Sequence, residues 1–199
     1  MFMKNIFLSA LLFIFLSCHN TKAMFTNHME QYGKTEQLPD SVLHMLQRTN
    51  ELVLAFAVET NAWVKATNYK LLAMNNNQWK GYTYNINNTT HVSSGLKPME
   101  VSDDSCNAAW KFFQSWEVWK IKGDNGGNFC TGDKKNNCNI NDGATWRLLL
   151  LTKEKIIDLS YYEPEYYENC CPGNVERELF LQAVNKIKDI VEKKDGSEM

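Results

Sequence analysis

Apolar positions along the chain recur at three different periods. Ile6–Leu16 form a continuous apolar run, interrupted only by Ser9 and the small Ala10, behind a short start with one cation, Lys4. Such a run is too short to cross a hydrocarbon core, which takes about 20 residues, but it suits the apolar region of a signal peptide. Leu38-Pro39-Asp40-Ser41 then opens a helical pattern, with Asp40 or Ser41 as cap and apolar residues at Val42, Met45, Leu46, Leu52, Val53, Phe56 and Ala57. Within it, Leu52–Val58 is apolar all round, which fits either a deeply buried helix or a strand. Thr67–Met74 and Trp79–Ile86 flank Asn75-Asn76-Asn77-Gln78 and read as a hairpin, with Trp79, Gly81 and Thr83 on one face and Lys80, Tyr82 and Tyr84 on the other.

The pattern then repeats in outline. Ser102 to Ser105, carrying Asp103 and Asp104, caps a second helix with a stripe of Ala108, Ala109, Phe112 and Phe113. Trp116–Ile121 predicts a short strand, and Lys122–Asp142, rich in Gly, Asn and Asp, predicts the longest irregular loop. Ala144–Leu151 and Lys155–Tyr162 form a second hairpin around Thr152-Lys153-Glu154, ended by Pro164. Pro172-Gly173-Asn174 starts a last helix lined by Val175, Leu179, Ala183, Val184, Ile187, Ile190 and Val191, with Lys193-Lys194 at its negative end. The order predicts an α+β fold: an antiparallel sheet from two helix-plus-hairpin units, a closing C-terminal helix, and helices on one face. The expected division is a signal peptide over 1–17, a lipidated N-terminus and tether over 18–37, one domain over 38–194, and a frayed tail over 195–199.

Composition narrows the function classes. With 44% hydrophobic and 12% aromatic residues, a packed core is expected, and simple packing is the expected role of the six tryptophans. A net charge of −2 leaves no basic face to displace counterions, so no nucleic-acid partner is expected.

The apolar run ends at Phe15-Leu16-Ser17-Cys18, where a small residue directly before cysteine resembles the lipobox of bacterial lipoproteins. The resemblance implies a diacylated, palmitate-type Cys18 as the mature N-terminus, attached to the cell envelope by its lipid. Phe15 stands where that family usually has Leu. The other reading is cleavage after Ala23, giving a soluble secreted or periplasmic protein.

Export changes how the cysteines read. Cys106, Cys130, Cys138, Cys170 and Cys171 are expected to form disulfides in an oxidising compartment. Cys130 with Cys138 would close a small polar ring, and Cys106 would join Cys170 or Cys171, leaving one thiol. No Cys-x2-Cys pair exists and no histidine follows His91, so a zinc site is not expected.

The search for chemistry gives no catalytic residue, no metal ligand and no cofactor motif. Asn137, Asn139, Asn141, Asp142 and Gly143 resemble a calcium loop. The glycine is one place late and Leu148 replaces the bidentate Glu, so a turn cluster is the reading. Tyr161-Tyr162-Glu163-Pro164-Glu165-Tyr166-Tyr167-Glu168 is the densest feature. Tyrosines bring area at low entropy cost with a polar tip, so Tyr162, Tyr166, Tyr167, Glu165 and Glu168 are the candidate binding residues. The plainer alternative packs these tyrosines over the closing helix.

Cys106-Asn107-Ala108-Ala109-Trp110, Asp142-Gly143-Ala144-Thr145-Trp146, Tyr161-Tyr162-Glu163-Pro164-Glu165, Cys171-Pro172-Gly173 and Glu176-Arg177-Glu178-Leu179-Phe180-Leu181 resemble small uncharacterised lipoproteins of Bacteroidota-type bacteria. The resemblance covers about residues 100–190 and implies an envelope location; it supplies no catalytic residues. The expected function is a non-enzymatic, lipid-anchored binder of a protein or glycan, one form being an immunity-like inhibitor whose acidic tyrosines meet a basic toxin face. The alternative is a hydrolase whose carboxylates converge only in the fold.

Overall fold

The first apolar segment splits where its helical spacing breaks. Helix α1, Ser41–Thr49, is capped by Asp40, whose Oδ1 accepts from the amides of Val42 and Leu43 at 3.0 and 2.8 Å. Asn50 leaves the helical region, and Leu52–Thr60 continue as strand β1. Leu52 to Ala57 are all buried, which a central strand covered on both faces requires. That resolves the ambiguity of the apolar-all-round stretch.

The computed structural model describes residues 29–35, 40–60, 66–87, 90, 92–124, 130 and 138–192. The expected signal peptide, Cys18 and the tail lie outside these residues, as does most of the glycine- and asparagine-rich loop.

Strands β2, Ala66–Asn75, and β3, Gln78–Asn87, form the first hairpin. Its turn residues Asn76 and Asn77 both lie at positive φ, 50° and 66°, the twist a two-residue hairpin needs and one asparagine tolerates. Short strands β4, Val92–Ser93, and β5, Lys97–Met99, both pair with the outer side of β3. Strands β6, Ala144–Leu151, and β7, Ile156–Tyr162, form the second hairpin and join the sheet at β1. The seven-stranded sheet runs β4-β3-β2-β1-β6-β7 with β5 also paired to β3, and every pair is antiparallel.

Helix α2, Asp103–Ser115, is capped by Ser102; helix α3 spans Pro164–Cys170 and α4 spans Val175–Glu192. On one face of the sheet, Leu52, Leu54, Phe56, Leu72, Leu148, Leu150 and Leu159 pack against Trp110 and Phe113 of α2 and Phe180, Val184 and Ile187 of α4. On the other, Val53, Ala55, Ala57, Leu71, Leu149 and Leu151 pack against Leu43 and Leu46 of α1. The antiparallel α+β architecture with its closing C-terminal helix is the expected one. Helices do not keep to one face, because β1, β2 and β6 are apolar on both faces and each fully buried leucine is worth about 2 kcal/mol.

Several local expectations are corrected. Val118–Lys120 form a 3-10 turn instead of a strand, entered through Glu117 at a φ of 45°. Ala108 is exposed, while Cys106 and Trp110 take the buried positions of α2. Val175 is exposed, and Phe180 fills the core instead. Residues 29–35, expected in the tether, belong to the domain: Met29 is 1% exposed in the main core, and Lys34 pairs with Ile156 on the edge of β7 through hydrogen bonds of 2.8 and 3.0 Å.

Candidate functional site

The acidic tyrosine segment leaves the sheet at the end of β7 and turns at once into α3. Glu163 makes the corner at a φ of 42°, and Pro164, fixed near a helical φ, takes the first helical position. The segment expected as a surface loop is therefore a helix. Its end is tied down twice. Cys130 bonds Cys171 with a Cα–Cα distance of 5.6 Å, and Cys138 bonds Cys170 with 5.9 Å.

This corrects the expected pairing. Cys130 and Cys138 do not close a ring together, because each is drawn to one of two adjacent cysteines that stand on either side of the end of α3. Cys106 takes no part. It is fully buried between α2 and the sheet, and burial pushes its thiol up to about 12. The Sγ atoms of Cys130, Cys138 and Cys171 lie within 4.8 Å of one another. Bonded as disulfides they offer no thiolate to a metal.

Around the disulfides the tyrosines form a small cluster of their own. Tyr167 is 3% exposed and meets the ring of Tyr166 edge-on at 5.1 Å and that of Tyr162 at 6.4 Å. Tyr162 is half-buried: its hydroxyl accepts from the Gly143 amide at 2.8 Å, and its own amide donates to Asp124 at 3.2 Å. The Tyr166 hydroxyl donates to the Asn139 carbonyl at 3.0 Å, which ties α3 to the chain beside Cys138. Tyr167 is therefore a core residue of this corner, packed among the disulfides and not over the closing helix as the plainer alternative had it.

The carboxylates do not converge. Glu163 accepts from the Ala144 amide, and Glu165 lies 3.9 Å from Lys188. Glu168 accepts from Arg177 Nε at 2.8 Å. Arg177 is 2% exposed and also donates to the Cys171 carbonyl at 2.6 Å, so a buried charge is held by a carboxylate and the chain end of α3 together. Glu168, half-buried, is thus engaged as the acceptor of a buried arginine. The remaining outward groups of α3 are exposed Glu165 and Asn169 and half-buried Tyr166. Arg177 escaped the sequence reading. Its signal was position: it falls on the same helical stripe as Phe180, Val184 and Ile187, where only a paired charge can sit.

Disulfides form in oxidising compartments, and this pair indicates an extracytoplasmic location. Among the described residues no helix is long and apolar enough to cross a membrane. No family model matches the chain, and no curated protein matches it.

Proposed function

We propose that the chain is an envelope protein, lipid-anchored through Cys18, that binds a protein or glycan partner and is not an enzyme. The observation that carries the reading is the bracing of α3. A helix of only seven residues is marginal alone, yet two disulfides, the Tyr166 hydroxyl and Arg177 hold it in place. A pre-ordered element loses less entropy on binding, and Glu165, Tyr166 and Asn169 face outward from it. An immunity-like inhibitor, meeting a basic toxin face with Glu165, is one form of this reading. The hydrolase alternative has less support, since Glu163, Glu165 and Glu168 each engage a different partner.

A photo-reactive amino acid in place of Asn169 would trap the partner on intact cells. Truncation at an interface centre costs about 2 kcal/mol, roughly thirty-fold in affinity. Glu165→Lys combined with Tyr166→Ser should therefore remove most of the cross-linked product while the melting temperature stays within a few degrees. Unchanged cross-linking in that variant would overturn the assignment of this surface. Fatty-acid labelling lost in Cys18→Ser tests the anchor separately.

A further inference from the structure

We infer that the edge of the domain carrying Tyr32, Trp116 and Lys120 lies against a phospholipid surface, extending the anchoring proposed above with a second, weaker contact. Trp116 and Tyr32 are large aromatic residues left in water, 61% and 45% exposed. They belong to one strip. Trp116 closes α2 with its ring against Phe112 at 6.4 Å, and the next residue, Glu117, accepts from Lys120 Nζ at 2.7 Å. Lys120 Nζ in turn lies 5.5 Å from the centre of the Tyr32 ring, and Lys186 Nζ lies 5.8 Å from that of Phe112. Indole, phenol and lysine side chains flanking one another are the groups that settle at a membrane–water boundary, the rings among the acyl-chain ends and the ammonium among phosphates.

Position favours a lipid occupant over another protein. Tyr32 sits in the segment that leads back towards Cys18, and Met29 lies eleven positions after Cys18. At about 3.4 Å per residue that stretch reaches at most about 37 Å, so an anchor at Cys18 keeps this edge of the domain near the bilayer. The net charge of −2 gives no general attraction to anionic lipid, so the contact depends on ring insertion. Two rings and two lysines hold weakly from free solution. Tethering raises their effective concentration enough for the contact to form.

The test uses the lipidated full chain in vesicles of phosphatidylcholine and phosphatidylglycerol, with acyl chains brominated near the headgroup as tryptophan quenchers. Wild-type fluorescence should be quenched, Trp116→Phe should lose most of the quenching, and Lys120→Glu should reduce it several-fold. Both substitutions are on exposed side chains, and an unchanged melting curve confirms folding. Equal quenching in wild type and Trp116→Phe would overturn the inference. So would protection of Trp116 from aqueous iodide without bromine quenching, the signature of a protein partner or second copy. The anchor is scored independently, by flotation of wild type against Cys18→Ser: equal flotation of the two with Trp116 quenched removes the anchor and keeps the patch, and flotation lost only in Cys18→Ser with Trp116 unquenched in wild type removes the patch alone.

Discussion

The two disulfides are nested, and their stabilities should be strongly non-additive. Alone, Cys130–Cys171 spans 41 residues and Cys138–Cys170 spans 32. The chain-entropy relation gives about 3.9 and about 3.7 kcal/mol for such loops. Once either bond is closed, the other joins points already near along the chain. Cys138 lies eight positions after Cys130, and Cys171 directly follows Cys170. The loop left to close is then about ten residues, for which the same relation gives about 2.7 kcal/mol. Replacing either pair by alanine should therefore cost about 2.7 kcal/mol, and replacing the remaining pair should cost roughly 3.8 kcal/mol more. Urea unfolding of the oxidised wild type, the two double variants and the quadruple variant measures each step. The slope against denaturant should rise as each link is lost, because the unfolded chain expands. Equal costs for the first and second removal would refute the nested arrangement. Peptide mapping that found Cys130 joined to Cys138 would refute it directly.

Three further outcomes follow from the same contacts. Arg177→Met removes charge-assisted hydrogen bonds to Glu168 and the Cys171 carbonyl and should cost about 3 kcal/mol in urea unfolding. Glu168→Ala, which strands a buried charge, should cost at least as much, and a cost under about 1 kcal/mol for both would contradict the buried pair. Tyr167→Ala should destabilise by about 3 kcal/mol or more and Tyr166→Ala by well under half of that; equal effects would mean the two rings share one environment. Burial pushes the Cys106 thiol up to about 12 from an ordinary 9.0, and the Tyr69 phenol up to about 12 from 10.0. The folded state then keeps protons that the unfolded state releases, so stability is complete below about pH 9 and is lost as pH rises towards about 12. Unfolding free energies unchanged between about pH 8 and about pH 11 would rule this out.

Elements whose cause is local were legible in the sequence. The hairpin follows from Asn76 and Asn77, α2 from Ser102 with Asp103 and Asp104, and α4 from its apolar stripe. What escaped is set by distant partners. Nothing near Met29 marks it as core, because its neighbours are polar and its burial comes from the face shared with α2 and α4. The side of the sheet taken by α1 depends on β1 being flanked by both hairpins, which only the pairing of β1 with β6 decides. In the acidic tyrosine segment the clustering of the residues was legible, but the contacts that each one makes were not. Alternation along β7 puts Tyr161 and Tyr162 on opposite faces, and the structure has Tyr161 buried and Tyr162 half-buried, whereas α3 re-orders Tyr166 and Tyr167 by helical geometry.

The cysteine pairing failed for a related reason, and the cause lies at the end of the sheet. A ring between Cys130 and Cys138 is the shortest loop available without the strain of a bond between the adjacent Cys170 and Cys171, so chain entropy alone favours it. The native pairs require α3 to stand first in the right place, and that is fixed by the close approach of Gly143 to Tyr162 and Glu163. A Cβ at Gly143 would collide with the Glu163 side chain and stand 2.8 Å from the Tyr162 hydroxyl. Without one, the Gly143 and Ala144 amides reach both side chains, and the Glu163 amide returns a bond of 2.9 Å to the Ala144 carbonyl. These bonds lock the turn at Glu163 to the start of β6, which sits in register with β7 through Thr145 and Tyr162. The helix that follows then places Cys170 and Cys171 against the two loop cysteines, and Arg177 on α4 holds the far end through Glu168 and the Cys171 carbonyl. The disulfides are thus a consequence of sheet register and helix packing. A corner set in this way is as rigid as the sheet that carries it, so its few outward side chains, Glu165, Tyr166 and Asn169, are held in fixed positions, as the proposed binding role requires.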